Sequence, residues 1–349
     1  MKRCLLAAWM SLCMCQTGFA DANTSHIEQI GDGNRAEVSQ IVNARPFGSH
    51  LDENISTITQ TGTSNQAKVQ QDNGSGNPMT SEIIQIGTAN HADLSQDPDG
   101  GPGGFSSTIR QNGVDNRASV TQTGIADGIV STIEQVGEGH QATVSQHGNG
   151  TAFDALPFLI SDIRQTGFAN TANVDQRGFS QSSIEQDGTN QRADVYQAGY
   201  LAGHQSLIIQ SGVDNIAHVA QTGFADQSNK SEIHVAGNAN LTEVIHGSGD
   251  LADIWNDSSI TITGDGNNAK VLQLGHSETN TSSVTAVGDG NTVLVDQFTD
   301  GGANASQIQI DGGSNQITVE QNLSQDAPGT NTSILSIAGN GNIMHIIQQ

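Results

Sequence analysis

The chain is poor in basic and aromatic residues. Its 349 residues include 12 Lys and Arg against 36 Asp and Glu, a formal net charge of −24, and aromatic residues make up only 4%. Nucleic acids and anionic lipids need Lys or Arg to neutralise their phosphates, so this balance argues against a nucleic-acid partner. Hydrophobic residues amount to 34%. An ordinary globular core is therefore not expected, and the composition predicts either disorder or a regular repeat.

Cysteine is absent after the first fifteen residues. The only three are Cys4, Cys13 and Cys15. In this region the basic pair Lys2-Arg3 precedes a short apolar run, and the small residues Ala20 and Ala22 fit a signal-peptidase site. We predict that residues 1–22 are a signal peptide and that the protein is secreted. The mature chain would then have no disulfide, no thiol nucleophile and no thiolate metal ligand.

What the chain does contain is a repeat. The clearest copy is Ser25-x-Ile27-x-Gln29-x-Gly31-x-x-Asn34-x-Ala36-x-Val38-x-Gln40. Serine and glycine keep their positions in all thirteen copies. The serines of the later copies are Ser56, Ser81, Ser107, Ser131, Ser161, Ser182, Ser206, Ser231, Ser258, Ser282, Ser306 and Ser333. The asparagine position departs only at His140 and Gln191, and the final glutamine position only at His246.

The spacing within a copy is typical of β-structure. Fixed residues occupy every second position in two runs around Gly-x-x-Asn, which is the side-chain period of a strand on either side of a turn. We predict an all-β fold, a β-solenoid of thirteen strand–turn–strand rungs with two facing parallel sheets. All six prolines fall between copies, where they remove no ladder hydrogen bond. Longer loops are expected at 41–53, 72–79, 97–105, 147–160, 247–255 and 322–330, and no second domain is expected.

The fixed positions mix apolar with amide side chains, and a buried amide is costly without a partner. Stacking the copies in register, about 4.8 Å apart, places each amide beside its counterparts, and an amide both donates and accepts. We therefore predict stacking ladders that fix the register. Their representative members are Ser25, Gln29, Asn34, Gln40, Ser56, Gln60, Asn65, Gln71, Ser107, Gln111, Asn116, Gln122, Ser161, Gln165, Asn170, Gln176, Ser206, Gln210, Asn215 and Gln221.

The frame resembles the curlin repeat, Ser-x5-Gln-x-Gly-x-Gly-Asn-x-Ala-x3-Gln, of the subunits of curli, the functional amyloid fibres of Gram-negative bacteria. In the first copy the matching residues are Gln29, Gly31, Gly33, Asn34, Ala36 and Gln40, and the resemblance covers essentially the whole mature chain. There are departures: the first serine of the family motif is often Asn here, as at Asn54, and its second glycine is often replaced, as at Ser64. Curlin subunits commonly have about five repeats.

The resemblance implies a structural subunit of an extracellular, amyloid-like adhesive fibre on the bacterial cell surface, which supports adhesion and biofilm matrix. It implies self-association by rung-on-rung β-augmentation, export with curli-type secretion and nucleation proteins, and contact with host or abiotic surfaces. The alternative is a monomeric secreted β-solenoid that binds a polysaccharide or another surface ligand. Whether the chain would be a major, minor or nucleating subunit stays open.

The copies fall into two blocks. Copies one to eight (23–228) have Gln at the first amide position, from Gln29 to Gln210, whereas copies nine to thirteen (229–349) have Val235, Ile262, Ala286, Ile310 and Ile337 there. One explanation is drift towards a more apolar core. The other is that the second block folds first and templates or anchors the first.

No arrangement of residues points to an enzyme, a cofactor or a metal site. The recurring serines face inward in a ladder, and the histidines have no metal-ligand spacing. His140 and His246 replace ladder amides and are expected to hydrogen-bond within the stack. Acidic residues such as Glu28 and Asp93 occupy outward positions, where charge delays sideways aggregation. The Gly-Gly stretches do not continue as a calcium-binding nonapeptide, which leaves only weak calcium binding by loops as an alternative.

Overall fold

A computed structural model describes residues 23–42, 54–73, 78–98, 103–149, 158–199, 203–223, 228–248, 254–300, 302–323 and 329–349. The predicted signal peptide, with all three cysteines, lies outside the described residues. Among the residues described there is no helix that could cross a membrane, because regular structure there consists of strands.

The strands, in chain order, are β1 (Thr24–Ile30), β2 (Arg35–Val42), β3 (Ile55–Thr63), β4 (Gln66–Asn73), β5 (Thr80–Thr88), β6 (His91–Asp97), β7 (Gly103–Val114), β8 (Arg117–Glu138), β9 (Gln141–Asn149), β10 (Phe158–Phe168), β11 (Thr171–Arg177), β12 (Ser180–Thr189), β13 (Arg192–Gly199), β14 (His204–Val213), β15 (Ile216–Gly223), β16 (Lys230–Asn238), β17 (Leu241–Ser248), β18 (Ile254–Thr263), β19 (Asn268–Val287), β20 (Thr292–Asp300), β21 (Ala303–Asp311), β22 (Gln316–Leu323), β23 (Thr330–Ala338) and β24 (Ile343–Gln348).

These strands form a β-solenoid with two parallel sheets of thirteen strands each, which confirms the predicted fold class. Sheet A holds the strand that begins each repeat and sheet B the strand after its turn, so that β1 pairs with β3 and β2 with β4. The long strands β8 and β19 belong to both sheets, because the chain passes from one to the other without leaving extended structure. Below, a rung is one repeat's pair of strands.

Equivalent residues pair with each other from rung to rung. Ser25 lies beside Ser56, Ile27 beside Ile58 and Gln29 beside Gln60 in sheet A, and Ala36 lies beside Ala67 in sheet B. This register follows from the period of two, since a slip by one residue would turn every inward side chain outward.

The fixed glycine of the turn is required by a close backbone approach. Gly137 has φ +131, and a Cβ placed on it would overlap the carbonyl oxygen of Gly167 in the next rung. The second position of the turn is also left-handed but lies in open space: Gly139 has φ +72, and its Cβ would come no closer than 3.9 Å to Ala169. A small residue with φ +58 can therefore stand there, as Ser64 does.

The main core runs along the whole rod between the two sheets. It consists of the stacked Ile, Ala and Val columns of the repeat, represented by Ile58, Ala67 and Val69. All three are at most 5% exposed. Burying such side chains contributes about 1.5–3 kcal/mol for each large residue, which makes these columns the main source of stability.

A second apolar cluster, which the repeat frame did not predict, lies beside the main core. It contains Met79, Phe105, Ala126, Ile129 and Leu159. The prediction of loops over 72–79 and 97–105 was wrong in part, since β7 already begins at Gly103 and both Met79 and Phe105 are buried. Other predicted loops are also shorter than expected, because β9 extends to Asn149, β10 begins at Phe158 and β18 begins at Ile254.

Candidate assembly interface

The first glutamine column is the clearest polar feature of the interior. It holds Gln29, Gln60, Gln85, Gln111, Gln135, Gln165, Gln186 and Gln210. Each Nε2 except the last donates to Oε1 of the glutamine in the next rung, at 2.6–3.0 Å. From Gln60 to Gln186, Nε2 also donates to a sheet B carbonyl, for example that of Arg35. The column thus ties successive rungs, and the two sheets, together.

The final glutamine column is built in the same way within sheet B. Its first part holds Gln40, Gln71, Gln96, Gln122, Gln146, Gln176, Gln197 and Gln221, with Nε2–Oε1 distances of 2.8–3.0 Å. Its second part holds Gln273, Gln297, Gln321 and Gln348, at 2.7–2.8 Å. Every donation again runs from one rung to the next along the chain, so both glutamine columns have the same direction.

The asparagine column at the turns runs in the opposite direction. Asn65 donates through both its backbone N and its Nδ2 to Oδ1 of Asn34, in the preceding rung, and Nδ2 also donates to the carbonyl of Gly87. The same contacts recur at Asn90 and Asn116. The side chain therefore satisfies turn backbone groups that the strand ladders do not reach.

The serine column is stacked but is not a continuous hydrogen-bonded chain. Ser107 Oγ lies 2.9 Å from Ser131 Oγ, whereas the hydroxyls of Ser56, Ser161 and Ser206 are buried without a partner. The predicted stacking serines therefore share one column of the register, but the continuous rung-to-rung hydrogen bonds are made by the amide side chains. These serines are Ser25, Ser56, Ser107, Ser161 and Ser206. A serine suits this position because it is small enough for the packed interior.

Both glutamine columns are interrupted in rung 9, which consists of β16 and β17. In sheet A, Gln210 lies beside Val235, and its buried Nε2 has no partner. In sheet B, His246 stands between Gln221 and Gln273, and Oε1 of Gln273 has no partner. Only the asparagine column passes through, because Asn240 donates to Asn215 and accepts from Asn267.

Three histidines are buried, and each has a lowered pKa. Burial lowers the pKa of His246 to about 3, with the charge of His204 acting in the same direction. Burial also lowers the pKa of His204 to about 4, although the Ala198 carbonyl opposes the change. The pKa of His140 is lowered by burial, against hydrogen bonds to Val136 and Gly167. His140 and His246 both hydrogen-bond within the stack.

The outer surface carries the charges. Glu28 is exposed and Asp93 partly exposed, both on outward positions of the strands. Exposed pairs such as Arg110–Glu82, at 2.8 Å, connect neighbouring rungs but add little stability because water screens them. Within the described segments, no three His, Asp, Glu or Cys side chains come together as metal ligands would.

A scan against models of known protein families and a search of curated protein sequences both find no match to this chain.

Proposed function

We propose that this chain is a structural subunit of an extracellular, amyloid-like adhesive fibre of the curli type, which supports cell adhesion and biofilm matrix on the bacterial surface. The proposal extends to self-association by rung-on-rung β-augmentation and to curli-type secretion and nucleation proteins as partners. It rests on the resemblance of the repeat, on the parallel in-register stack, and on the complementary chemistry of the two terminal rungs described next.

The terminal rungs have unpaired strand edges within the described residues. There β1 and β2 each pair with one strand only, and so do β23 and β24. Unpaired backbone N–H and C=O groups at an edge are a template for another chain. A second copy that adds here continues both sheets at the spacing the rod already has.

The side chains at the two edges are complementary. Gln348 Nε2 donates to Thr332 O, but the described rungs hold no further glutamine beyond it. At the first rung, Gln40 donates to Gln71, and no described group donates to its Oε1. Placing the first rung of one copy on the last rung of another sets this donor beside this acceptor. This match is the observation that carries the proposal.

Two adjacent isoleucines in the last rung provide a matched test. Ile346 packs against the core column, whereas Ile347 is 55% exposed on the outer surface. Ile346→Lys places a charge in the apolar column that a second copy must cover, and we expect fibre elongation to slow by about tenfold or more. Ile347→Lys adds the same charge outside the column and should leave elongation within about twofold of the unmodified protein.

Elongation is measured by dye-binding fluorescence with electron microscopy, and circular dichroism checks that each variant keeps its strands. Fibre diffraction of the unmodified protein should show a meridional reflection at about 4.7–4.8 Å. Equal slowing by both variants would contradict stacking through the end. A protein that stays monomeric for days at neutral pH would contradict the fibre function.

The second candidate function is a monomeric secreted β-solenoid that binds a polysaccharide. A surface groove on sheet A, with a volume of about 370 Å³, is lined by Asp257, Ser259, Thr281, Ser283 and Thr332 among others. Hydroxyl and carboxylate groups of this kind can hydrogen-bond to sugars. Retention of the monomeric protein on a polysaccharide column, without any fibre formation, would favour this candidate.

A further inference from the structure

Rung 9 differs from its neighbours in the hydrogen bonds that its buried polar side chains make. In the first block, Gln186 donates to Gln210 at 3.0 Å, but Gln210 in turn meets Val235 and its Nε2 is left without a partner. An unpartnered buried amide group lowers the stability of the contact that contains it. The boundary between rungs 8 and 9 is therefore a weak step in sheet A, where the glutamine column ends.

The same rung interrupts sheet B through a histidine. His246 is 1% exposed and takes the position of a ladder glutamine. Its Nδ1 lies 3.4 Å from Gln221 Nε2, and its Nε2 lies 2.9 Å from Ser258 Oγ. Because Gln221 Nε2 can only donate, Nδ1 of His246 must be the acceptor and carries no proton.

Adding a proton to His246 would place an N–H group against the N–H group of Gln221. The side chains that face His246 from the neighbouring strands are Gln221, Gln273 and Ser258, and none of them is titratable. No carboxylate among the described residues acts on it. Within the described part of the chain, the titratable group that does is His204, whose positive charge would oppose a second proton.

His204, at the start of β14, is equally unsuited to a proton. It is 0% exposed, its Nε2 lies 3.3 Å from the Ala198 carbonyl, and its Nδ1 is buried without a partner. A proton on Nδ1 would be a buried, unsatisfied donor. Both histidines can thus take up protons only if the stack around rung 9 opens.

We propose that rung 9 is an acid-labile joint, at which the rod opens first when the solution is acidified and so divides into two blocks. The joint is a property of the solenoid itself and does not depend on the fibre function. His140, also buried, is a useful contrast. Its Nδ1 accepts from Asn170 N and its Nε2 meets the Val136 carbonyl, while the glutamine columns on both sides of it are intact.

The sign of the pH effect follows from proton uptake. The pKa of His246 is about 3 in the closed rung, and about 6.5 is usual for an exposed histidine. The open state binds more protons between these values, so closed rung 9 loses stability as the pH falls below about 6.5. The opening constant should rise by about tenfold per pH unit for each histidine that is protonated on opening, until the pH nears its pKa in the closed state.

Hydrogen exchange with mass spectrometry on the purified, full-length protein tests the proposal. Protection factors, corrected for intrinsic exchange, are compared between pH 7 and pH 4.5 for 230–248 in rung 9 and for 303–323 in rung 12, a stretch without histidine. Rung 9 should lose protection by about 100-fold or more relative to rung 12. Equal loss in both segments, or earlier loss around His140, would overturn the proposal.

Three variants identify the groups responsible. His246→Gln restores the ladder amide and should remove most of the acid effect at rung 9. His147→Gln changes an exposed histidine in rung 5, four rungs before the joint, and should leave the effect as it is. If His246→Gln does not fold, His204→Asn, which matches Asn229 in the next rung, should reduce the pH slope. An acid effect that persists in either folded joint variant at its original size would exclude the histidines as its cause.

Discussion

The two blocks of the rod share one backbone geometry but differ in the side chains that fill their interiors. Rungs 1–8 stack glutamines at the first amide position, whereas rungs 9–13 stack apolar residues there, and all of these side chains except Gln29 are buried. In rungs 3–6, the position two residues before the serine shows the reverse. It holds apolar residues there, such as Met79, Phe105 and Leu159, but Asn256, Asn280 and Asn304 in the second block.

Between rungs 3–6 and rungs 9–12, this exchange keeps the number of buried amides at the two positions constant. In the second block, Asn280 Nδ2 donates to Asn256 Oδ1 at 3.0 Å and Asn304 Nδ2 to Asn280 Oδ1 at 3.1 Å, so an asparagine ladder replaces the glutamine ladder. The apolar residue moves the other way. Rungs 3–6 and 9–12 thus each have one of these two positions filled by a buried amide, which defines the register, and the other by an apolar side chain, which adds stability.

The exchange also changes which residues fix the register of the strands. In the first block, a slip of two residues in sheet A would set Gln135 against an isoleucine column. In the second block, Ile308 and Ile310 occupy successive inward positions, so the same slip would keep apolar side chains together there. Register in the second block must therefore come from the asparagine columns and from Gln273, Gln297 and Gln321 in sheet B.

The largest expected effect tests whether the blocks really share one backbone. Gly137→Ala in the first block and Gly288→Ala in the second each place a Cβ on a carbonyl of the next rung, at φ +131 and +117. We expect each to lower the free energy of unfolding by about 3 kcal/mol, from steric overlap and left-handed strain together. Urea unfolding followed by circular dichroism measures both.

The neighbouring glycines are the controls. Gly139→Ala and Gly290→Ala also fall at positive φ, but the nearest atoms, on Ala169 and Ser314, lie 3.8–3.9 Å from the added carbon. Each should cost only about 1 kcal/mol. A large loss for Gly137→Ala with almost none for Gly288→Ala would mean that the blocks differ in their backbone and not only in their side chains.

Glutamines like those of the first block can be introduced into the same column of the second block. Ile310→Gln buries an amide between Ala286 and Ile337, whose side chains can neither donate to it nor accept from it, and should destabilise the protein by about 3 kcal/mol. Adding Ile337→Gln supplies an acceptor in the next rung. The double variant should be about 1 kcal/mol more stable than the sum of the single variants predicts.

Urea unfolding of the two single variants and the double variant completes the cycle. In the reverse direction, Gln135→Ile should cost only about 1–2 kcal/mol, because Gln111 and Gln165 keep their bonds to the carbonyls of His91 and Gln141. Strict additivity in the cycle would show that amides in this column stabilise the rod independently of one another.

Much of the fold could be predicted from the sequence, because a single frame repeated thirteen times fixes the strand period, the turn and the inward face. Ser25, Gln29, Asn34 and Gln40 each define a column that needs no long-range information beyond the repeat. The direction of the hydrogen bonds could not be predicted, since an amide is symmetric in its capacity to donate and accept. That direction decides which atom is left over where a ladder stops, as at Gln210.

The second apolar cluster was not predicted because its residues precede the serine with which the repeat frame begins. The alternation continues two residues further back, at Met79, Phe105, Ile129 and Leu159, and this could have indicated extra buried strand. The sequence predicted that rung 9 pairs with its neighbours, but not that this rung is weakly held. The weakness arises because Val235 and His246 interrupt the two glutamine columns in the same rung, which becomes visible only in the stacked structure.

The smallest expected effect lies at the joint between the blocks and asks whether the unpartnered amide of Gln210 matters. Val235 and Val244 are both buried, on the two strands of rung 9. Val235→Thr offers a hydroxyl oxygen to Gln210 Nε2, whereas Val244→Thr buries the same hydroxyl in an apolar column. Val→Thr in a core normally destabilises, by about 1–3 kcal/mol for the buried hydroxyl. At position 235 we expect about 1 kcal/mol of this to be recovered through the new hydrogen bond.

The difference between the two urea midpoints, at neutral pH, measures the recovery. Equal losses would mean that Gln210 already satisfies its amide elsewhere, and that the boundary between the blocks is no weaker in sheet A than any other step of the rod.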